Sequence, residues 1–252
     1  MHFHAYLDDP VLSEFTALEV AGARVLVRRG HENWAARLAP GAAPDAEVTW
    51  VGGGRAAHPR LTLPTGEQVV VRGYRRGGAL RHLNRERYFR GHRAFEELYA
   101  TERARAGGVR VLHTVAAAER RGRLGYMASF ATRWVPYAFD LNAWLRSAPQ
   151  ADWAAVLHDA GRQLGQMHAA GIAHPDVNLR NLLVTPEGVY LLDFDRARLF
   201  RGPVPAVRRA RDLRRMLRSA AKLRAPLRMA DWAALEAGYG AGWPLRLLAL
   251  RP

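Results

Sequence analysis

The 252-residue chain contains no cysteine and a single lysine, Lys222. Without thiols it can form neither a disulfide nor a thiolate metal site, and the composition fits a reducing compartment. No apolar run approaches the roughly 20 residues that a membrane-spanning helix needs. The N-terminus, Met1-His2-Phe3-His4 ahead of Asp8-Asp9, lacks the basic, apolar and small-residue succession of a secretory signal. A G-K-[ST] tripeptide is missing too, and Lys222 lies in the wrong place for one, which excludes a Walker-type phosphate loop. These absences predict a cytoplasmic protein.

What the chain has instead is arginine. It carries almost all of the formal net charge of +15. Part of that enrichment is what a GC-rich genome encodes. A sharper reading is an anionic partner, either a nucleotide, a nucleic acid or a phosphate-bearing membrane surface, among which charge alone does not choose. Hydrophobic residues make up 49% and charged residues 24%, the profile of a soluble globular protein. The length suits one large domain or two modest lobes sharing a cleft.

Along the chain, a Pro/Gly/Ala stretch at Ala39–Ala46 reads as a loop. Glu47–Val51, the glycines Gly52-Gly53-Gly54, a turn at Pro64-Thr65-Gly66 and Val69-Val70-Val71-Arg72 predict antiparallel strands separated by turns. A helix is expected from about Arg93 to Ala106, stopped by Gly107-Gly108. Met127–Pro136 reads as a strand and Leu141–Leu145 as a short helix. Residues 152–170 give the clearest helical stripe, through Trp153, Val156, Leu157, Ala160, Leu164 and Met167, with Asp152 to cap it and Gly171 to end it. Beyond Val207 the chain is helical and very basic. The expectation is an α+β, bilobal fold. Residues 1–48 form an N-terminal extension, 49–133 a small antiparallel N-lobe with one helix, and 134–252 a larger, mainly helical C-lobe.

The chemistry concentrates in His174-Pro175-Asp176-Val177-Asn178-Leu179-Arg180-Asn181, followed twelve residues later by Asp193-Phe194-Asp195. Phosphoryl transfer needs a carboxylate at the acceptor hydroxyl and oxygen ligands that hold Mg²⁺ on the nucleotide phosphates. Asp176 can accept the hydroxyl proton, while Asn181 and Asp193 can bind the metal. The strands Leu182–Val184 and Val189–Leu192 would fix them relative to one another. The competing explanation is a polar loop beside a hairpin, in which Asn181 and Asp193 are turn residues. Four matching residue types at kinase spacing, H-x-D-x-x-x-x-N and then D-F-x, weigh against it. Pro175 stands where protein kinases carry arginine, Asn178 where they carry lysine, and Asp195 where they carry glycine. No A-P-E-like segment follows, so the expected acceptor is a sugar or metabolite rather than a protein.

The N-terminal half is less specific. Gly52, Gly53 and Gly54 can bring backbone N–H groups to phosphates, but an ordinary hairpin turn explains them nearly as well. Arg72 sits where a kinase strand presents its phosphate-binding lysine, and an exposed strand-end arginine is the alternative. Glu97 is the candidate partner of that cation, with Glu96 and Glu102 as substitutes.

On these residues the chain resembles the bacterial lipopolysaccharide kinases, and among them the 3-deoxy-D-manno-octulosonic acid (Kdo) kinases. The resemblance rests on Val71-Arg72-Gly73-Tyr74-Arg75-Arg76-Gly77-Gly78, and on Phe95-Glu96-Glu97-Leu98 through Gly108-Val109-Arg110-Val111. It continues through His174–Asn181 with Leu192-Asp193-Phe194-Asp195-Arg196, and ends on Asp212–Ser219 with Trp232 and Gly238-Tyr239. It implies transfer of the ATP γ-phosphate, with Mg²⁺, to the 4-hydroxyl of Kdo on a lipid A precursor at the cytoplasmic face of the inner membrane. It also makes arginine at position 72 the expected residue and favours Glu97 as its partner. Arg75, Arg76, Asn178 and Asp195 are the candidate acceptor contacts. The basic stretch Val207–Arg228 would meet an anionic membrane surface, or else be a solvated helix face. The other readings are a kinase of another core sugar such as heptose or of a soluble small molecule, and a nucleotide-binding pseudokinase. Nucleic-acid binding rests on charge alone, and no recognition motif supports it.

Overall fold

The computed structural model describes residues 8–42, 48–51, 57–74, 92–122 and 125–244. The chain divides into two compact units, residues 1–102 with 113–134, and residues 103–112 with 135–252. The first is built on one antiparallel sheet of seven strands. These are β1 (Phe15–Val20), β2 (Ala23–Arg28), β3 (Thr49–Val51), β4 (His58–Thr62), β5 (Gln68–Gly73), β6 (Thr114–Gly122) and β7 (Gly125–Arg133), in the order β1-β2-β6-β7-β5-β4-β3. Among the described residues two α-helices accompany them, α1 (Ala35–Leu38) and α2 (Arg93–Ala106), the latter lending this unit its residues as far as Glu102.

Strand alternation gives the sheet two apolar faces. Val69 and Val71 of β5 join Ala35 and Leu38 of α1 in one core, together with Val25 and Val27 of β2. Tyr74, just past β5, Leu26 and Phe130 join Phe95 and Leu98 of α2 in the other. Because β1 and β2 lie within this sheet, residues placed by sequence in a segment ahead of it supply one of its edges. The same alternation explains why: Val25 and Val27 feed one core while Leu26 feeds the other.

The sequence reading assigned no element to Thr114–Gly122, where Ala116-Ala117-Ala118 and Glu119-Arg120-Arg121 carry helix-forming residues. It is β6, paired with β2 on one side and β7 on the other. All three alanines are at most 1% exposed. Two-sided burial between strands overrides a weak helical propensity here.

The second unit is mainly helical. It contains β8 (Phe139–Asp140), α3 (Leu141–Ser147), α4 (Trp153–Ala169), β9 (Ile172–Ala173), β10 (Leu182–Thr185), β11 (Gly188–Leu191), β12 (Arg198–Leu199), α5 (Ala206–Lys222) and α6 (Met229–Tyr239). Asp140 caps α3 through a bond from the Ala143 N–H to its carboxylate, 2.9 Å. Asp152 does not cap α4. It ends a 3-10 turn, Gln150–Asp152, and is already in helical conformation, whereas a capping side chain needs an extended backbone to reach forward. Gly171, at φ +78, ends the helix as expected.

Helices α4 and α6 approach closely enough to require glycine. A Cβ at Gly161 would strike the Leu235 carbonyl oxygen, and one at Gly238 the His158 carbonyl oxygen. Both glycines weaken their own helices, and both permit the contact that buries Leu157, Leu164 and Leu235. Among the described residues no helix is long and apolar enough to cross a membrane.

Candidate active site

The loop from His174 to Asn181 is held from behind before it is functional in front. His174 is 1% exposed. Its backbone N–H donates to the Asp212 carboxylate of α5 at 2.7 Å. Its ring Nε2 lies 2.9 Å from the Leu192 carbonyl oxygen, which can only accept, so Nε2 carries the proton. The ring also packs on Phe194, centroids 5.2 Å apart. His174 thereby ties the loop to the segment that carries Asp193. Asp212, buried, also faces His168 at 3.3 Å, and His168 meets the Tyr239 hydroxyl at 2.7 Å. Burial holds His168 below its ordinary pKa against the opposing pull of Asp212.

Asp176 lies within a turn closed by the Val177 N–H on the His174 carbonyl, 3.0 Å. Its carbonyl oxygen accepts from Asn178 Nδ2 at 2.8 Å and Asn181 Nδ2 at 3.1 Å. Its carboxylate is 43% exposed, with Oδ1 accepting from Arg215 at 2.8 Å. Asn178 spends both ends of its amide on the loop, since Oδ1 also accepts from the Arg180 N–H at 2.9 Å. Asn181 differs. Its NH₂ is committed to the Asp176 carbonyl, which leaves the amide oxygen as a ligand atom.

Asp193 is brought alongside by the hairpin β10–β11, in register from Leu182↔Leu191 to Thr185↔Gly188. The Leu192 N–H then bonds to the Asn181 carbonyl at 2.9 Å. Asp193 itself has φ +68, a left-handed conformation that costs a non-glycine residue of order 1 kcal/mol and collects at functional sites. Asp195 lies in the turn closed by the Ala197 N–H on the Phe194 carbonyl, 2.9 Å. Asn181 and Asp193 offer the one carboxylate and one neutral oxygen that suit Mg²⁺, which takes most of its remaining ligands from phosphates and water. No trio of His, Asp or Glu converges on a metal-sized point among the described residues.

The hairpin is anchored to α4. Arg110 grips Asp159 with two nitrogens, at 2.5 and 2.9 Å, and its carbonyl accepts from the Leu191 N–H at 2.9 Å. Asp159 also accepts from the Val189 N–H at 2.8 Å and from Arg162 at 2.5 Å. Burial would raise the Asp159 pKa, but these donors prevail and hold it below the ordinary value.

In the first unit, Arg72 donates to Glu97 Oε1 at 2.5 Å, and the Tyr74 hydroxyl binds Glu97 Oε2. Glu97 is 1% exposed, while Glu96 is exposed and Glu102 pairs with Arg28 at 3.0 Å. Of the three candidate glutamates, Glu97 is the partner. The guanidinium of Arg72 also lies over the Tyr74 and Phe130 rings, at 5.2 and 5.8 Å. A cavity of about 270 Å³ in this unit is lined by Leu61, Val71, Gly73 and Ser129. Val71 and Gly73 line it from the face of β5 opposite Arg72, while Tyr74, which binds Glu97, lines it as well.

The second unit thus collects Asp176, Asn178, Asn181, Asp193 and Asp195 in one loop-and-hairpin system, and the first holds Arg72 with Glu97. Gly52, Gly53, Gly54, Arg75 and Arg76 lie outside the described residues. Sequence reasoning missed Arg215 on the Asp176 carboxylate and the anchoring roles of Asp212 and the Arg110–Asp159 pair. One signal was available: Asp212 is the single acidic residue of α5.

Comparisons with known proteins identify the family and the fold. Residues 49–239 match the family model of the lipopolysaccharide kinase (Kdo/WaaP) family. A 3-deoxy-D-manno-octulosonic acid kinase of Xylella fastidiosa (strain M12) is 32% identical over 186 residues, 69% of this chain and 72% of that protein. One of Vibrio cholerae serotype O1 is 34% identical over 134 residues, 51% of this chain and 56% of that protein. Among solved structures, WaaP in complex with acyl carrier protein superposes with a TM-score of 0.56 at 21% identity, covering 86% of this chain and 88% of that one. The fold is protein-kinase-like.

Proposed function

We propose a reaction from one premise: the chain belongs to the lipopolysaccharide kinase (Kdo/WaaP) family. It is a phosphotransferase with an alcohol group as acceptor, a kinase of lipopolysaccharide core biosynthesis, and the pseudokinase reading is not favoured. The specific reaction is transfer of the γ-phosphate of ATP to the 4-hydroxyl of Kdo on a Kdo-lipid A precursor. The observation that carries it is the His174–Asn181 loop. There Asp176 keeps its carboxylate half open to solvent, while Asn181 turns its NH₂ inward and its oxygen toward a ligand role.

In this reading Asp176 orients the acceptor hydroxyl and takes its proton. Asn181 and Asp193 would hold Mg²⁺, which when bound neutralises charge on the β- and γ-phosphates. Arg72, fixed by Glu97, engages the nucleotide phosphates, and Gly52–Gly54 offer them backbone N–H groups. Residues 49–133 thereby serve the nucleotide and residues 134–252 the transfer, with residues 1–48 an N-terminal extension whose strands β1 and β2 complete the sheet of the first. Arg75, Arg76 and Asp195 contact the acceptor, and Asn178 serves by holding the loop. The exposed Arg211, Arg214 and Arg218 of α5 bind the phosphate-bearing cytoplasmic face of the inner membrane, from which the lipid acceptor is taken. The test is a transfer assay with labelled ATP and Mg²⁺, offering a Kdo-bearing lipid A precursor beside the same lipid lacking Kdo. Label on the Kdo-bearing lipid alone is the expected result. Equal labelling of both would overturn the assignment.

A further inference from the structure

Asp176 does not stand alone. Arg215 reaches its Oδ1 at 2.8 Å from a helix 39 residues further along the chain. Both side chains remain part-exposed, 39% for Arg215 and 43% for Asp176, so the pair is open to a group approaching from solvent. Placement of this arginine is not the reach of a loose surface side chain. Leu213, Met216 and Ala220 bury one face of α5. Asp212, 4% exposed, binds the His174 N–H, which fixes α5 against the loop. Arg215 is one helical turn beyond Asp212, and the contact that orders the loop therefore also aims the guanidinium. Arg211, Arg214 and Arg218 point to solvent instead.

The loop supplies no cation of its own to this carboxylate. Pro175, Val177 and Leu179 are apolar, and Asn178 is consumed by backbone contacts. Arg180 makes no hydrogen bond to Asp176 among the described residues, whereas Arg215 does. During transfer the acceptor oxygen bonds to the γ-phosphorus. The bond from that phosphorus to the bridging oxygen breaks, ADP leaves with the electron pair, and the hydroxyl proton passes to Asp176. Negative charge on the phosphoryl oxygens thus passes close to a carboxylate that repels it. A planar guanidinium can bind one carboxylate oxygen and still direct other N–H groups at a phosphoryl oxygen.

Resting on the kinase reading above, we infer that Arg215 is a catalytic residue. It occupies Oδ1 of Asp176, leaves the other oxygen to the acceptor proton, and stabilises charge on the transferring phosphoryl group. The experiment compares wild type, Arg215→Ala and Arg215→Lys with saturating ATP·Mg²⁺ and a Kdo-bearing lipid acceptor. Arg215→Ala is expected to lower kcat by about 10²–10³-fold, the usual effect of removing one preorganised donor, while KM for both substrates moves less than about threefold. Arg215→Lys should fall between, because it keeps the charge and loses the fork. Guanidinium ion added to Arg215→Ala should restore part of kcat, a response that a purely structural role would not give. An unchanged kcat overturns the inference, as does a loss confined to acceptor KM, which would make Arg215 an acceptor-binding group only. If Arg215→Ala does not fold, Arg215→Gln is read by the same two constants. Absence of transfer by the wild type would instead overturn the underlying kinase reading.

Discussion

Each unit contains an arginine paired with a carboxylate, and only the first pair hides its acid. In the first, Glu97 is 1% exposed, with both oxygens taken by Arg72 and Tyr74, while the Arg72 side chain is 31% exposed. In the second, the Asp176 and Arg215 side chains are 43% and 39% exposed. In the proposed reaction, burial sorts the roles. A carboxylate with no access to solvent and no spare oxygen cannot meet a substrate, so Glu97 is an anchor and Arg72 the working end. A half-open carboxylate with one oxygen uncommitted can accept a proton, which makes Asp176 a working group and Arg215 its companion.

The contrast breaks most visibly in activity. Asp176→Ala should lower kcat by about 10³-fold or more while nucleotide affinity and melting temperature stay close to wild type. Steady-state kinetics, nucleotide titration and thermal melting on one preparation check all three. Glu97→Gln should behave differently, losing stability as well as function. Arg72 would lose its charged partner, and kcat/KM for ATP should fall about 10–100-fold with a stability loss of about 1–3 kcal/mol. If Glu97→Gln leaves the melting temperature unchanged, Glu97 is not the anchor described.

A smaller effect, on stability alone, separates two further carboxylates by sign. Asp159 is held below its ordinary 3.8. Its contribution is complete above that value and is lost as pH falls through the lower folded value. Burial pushes Glu119 of β6 up to about 6 from 4.5, against the hydrogen bond from His92. In that window the unfolded chain releases its proton while the folded chain keeps it, so stability declines as pH rises from 4.5 to about 6. Denaturant midpoints across pH should therefore show Asp159→Asn flattening the acid limb and Glu119→Gln flattening the decline toward neutrality. A variant profile parallel to wild type would contradict the corresponding assignment.

What could be read from sequence follows the same division between local and distant. The spacing of His174, Asp176 and Asn181, then Asp193, lies in contiguous chain, a loop with its following hairpin, so it was legible even though Asp212 and Asp159 hold that stretch from a distance. The α4 stripe and the end of α2 were legible for the same reason, since helical period and a glycine stop are local signals. Arg215 was not, because its partner is 39 residues away and it sits among other arginines of α5. Nor was β6, whose alanines are fixed as strand by neighbours on both sides. Gly161 and Gly238 lie inside helices, and what requires them is the backbone of the facing helix, a contact that local sequence does not display. The charge of +15 does not by itself name a partner; Arg72 and Arg215 are set apart from the other arginines by the carboxylates they meet.

The most direct test of the central claim is to locate the new ester. Purified enzyme, ATP·Mg²⁺ and a Kdo-bearing lipid A precursor would be incubated, and the product fragmented by tandem mass spectrometry. The result predicted is a single added phosphate on the 4-hydroxyl of Kdo; phosphate on another sugar or on another Kdo hydroxyl, or an unmodified lipid, would contradict it.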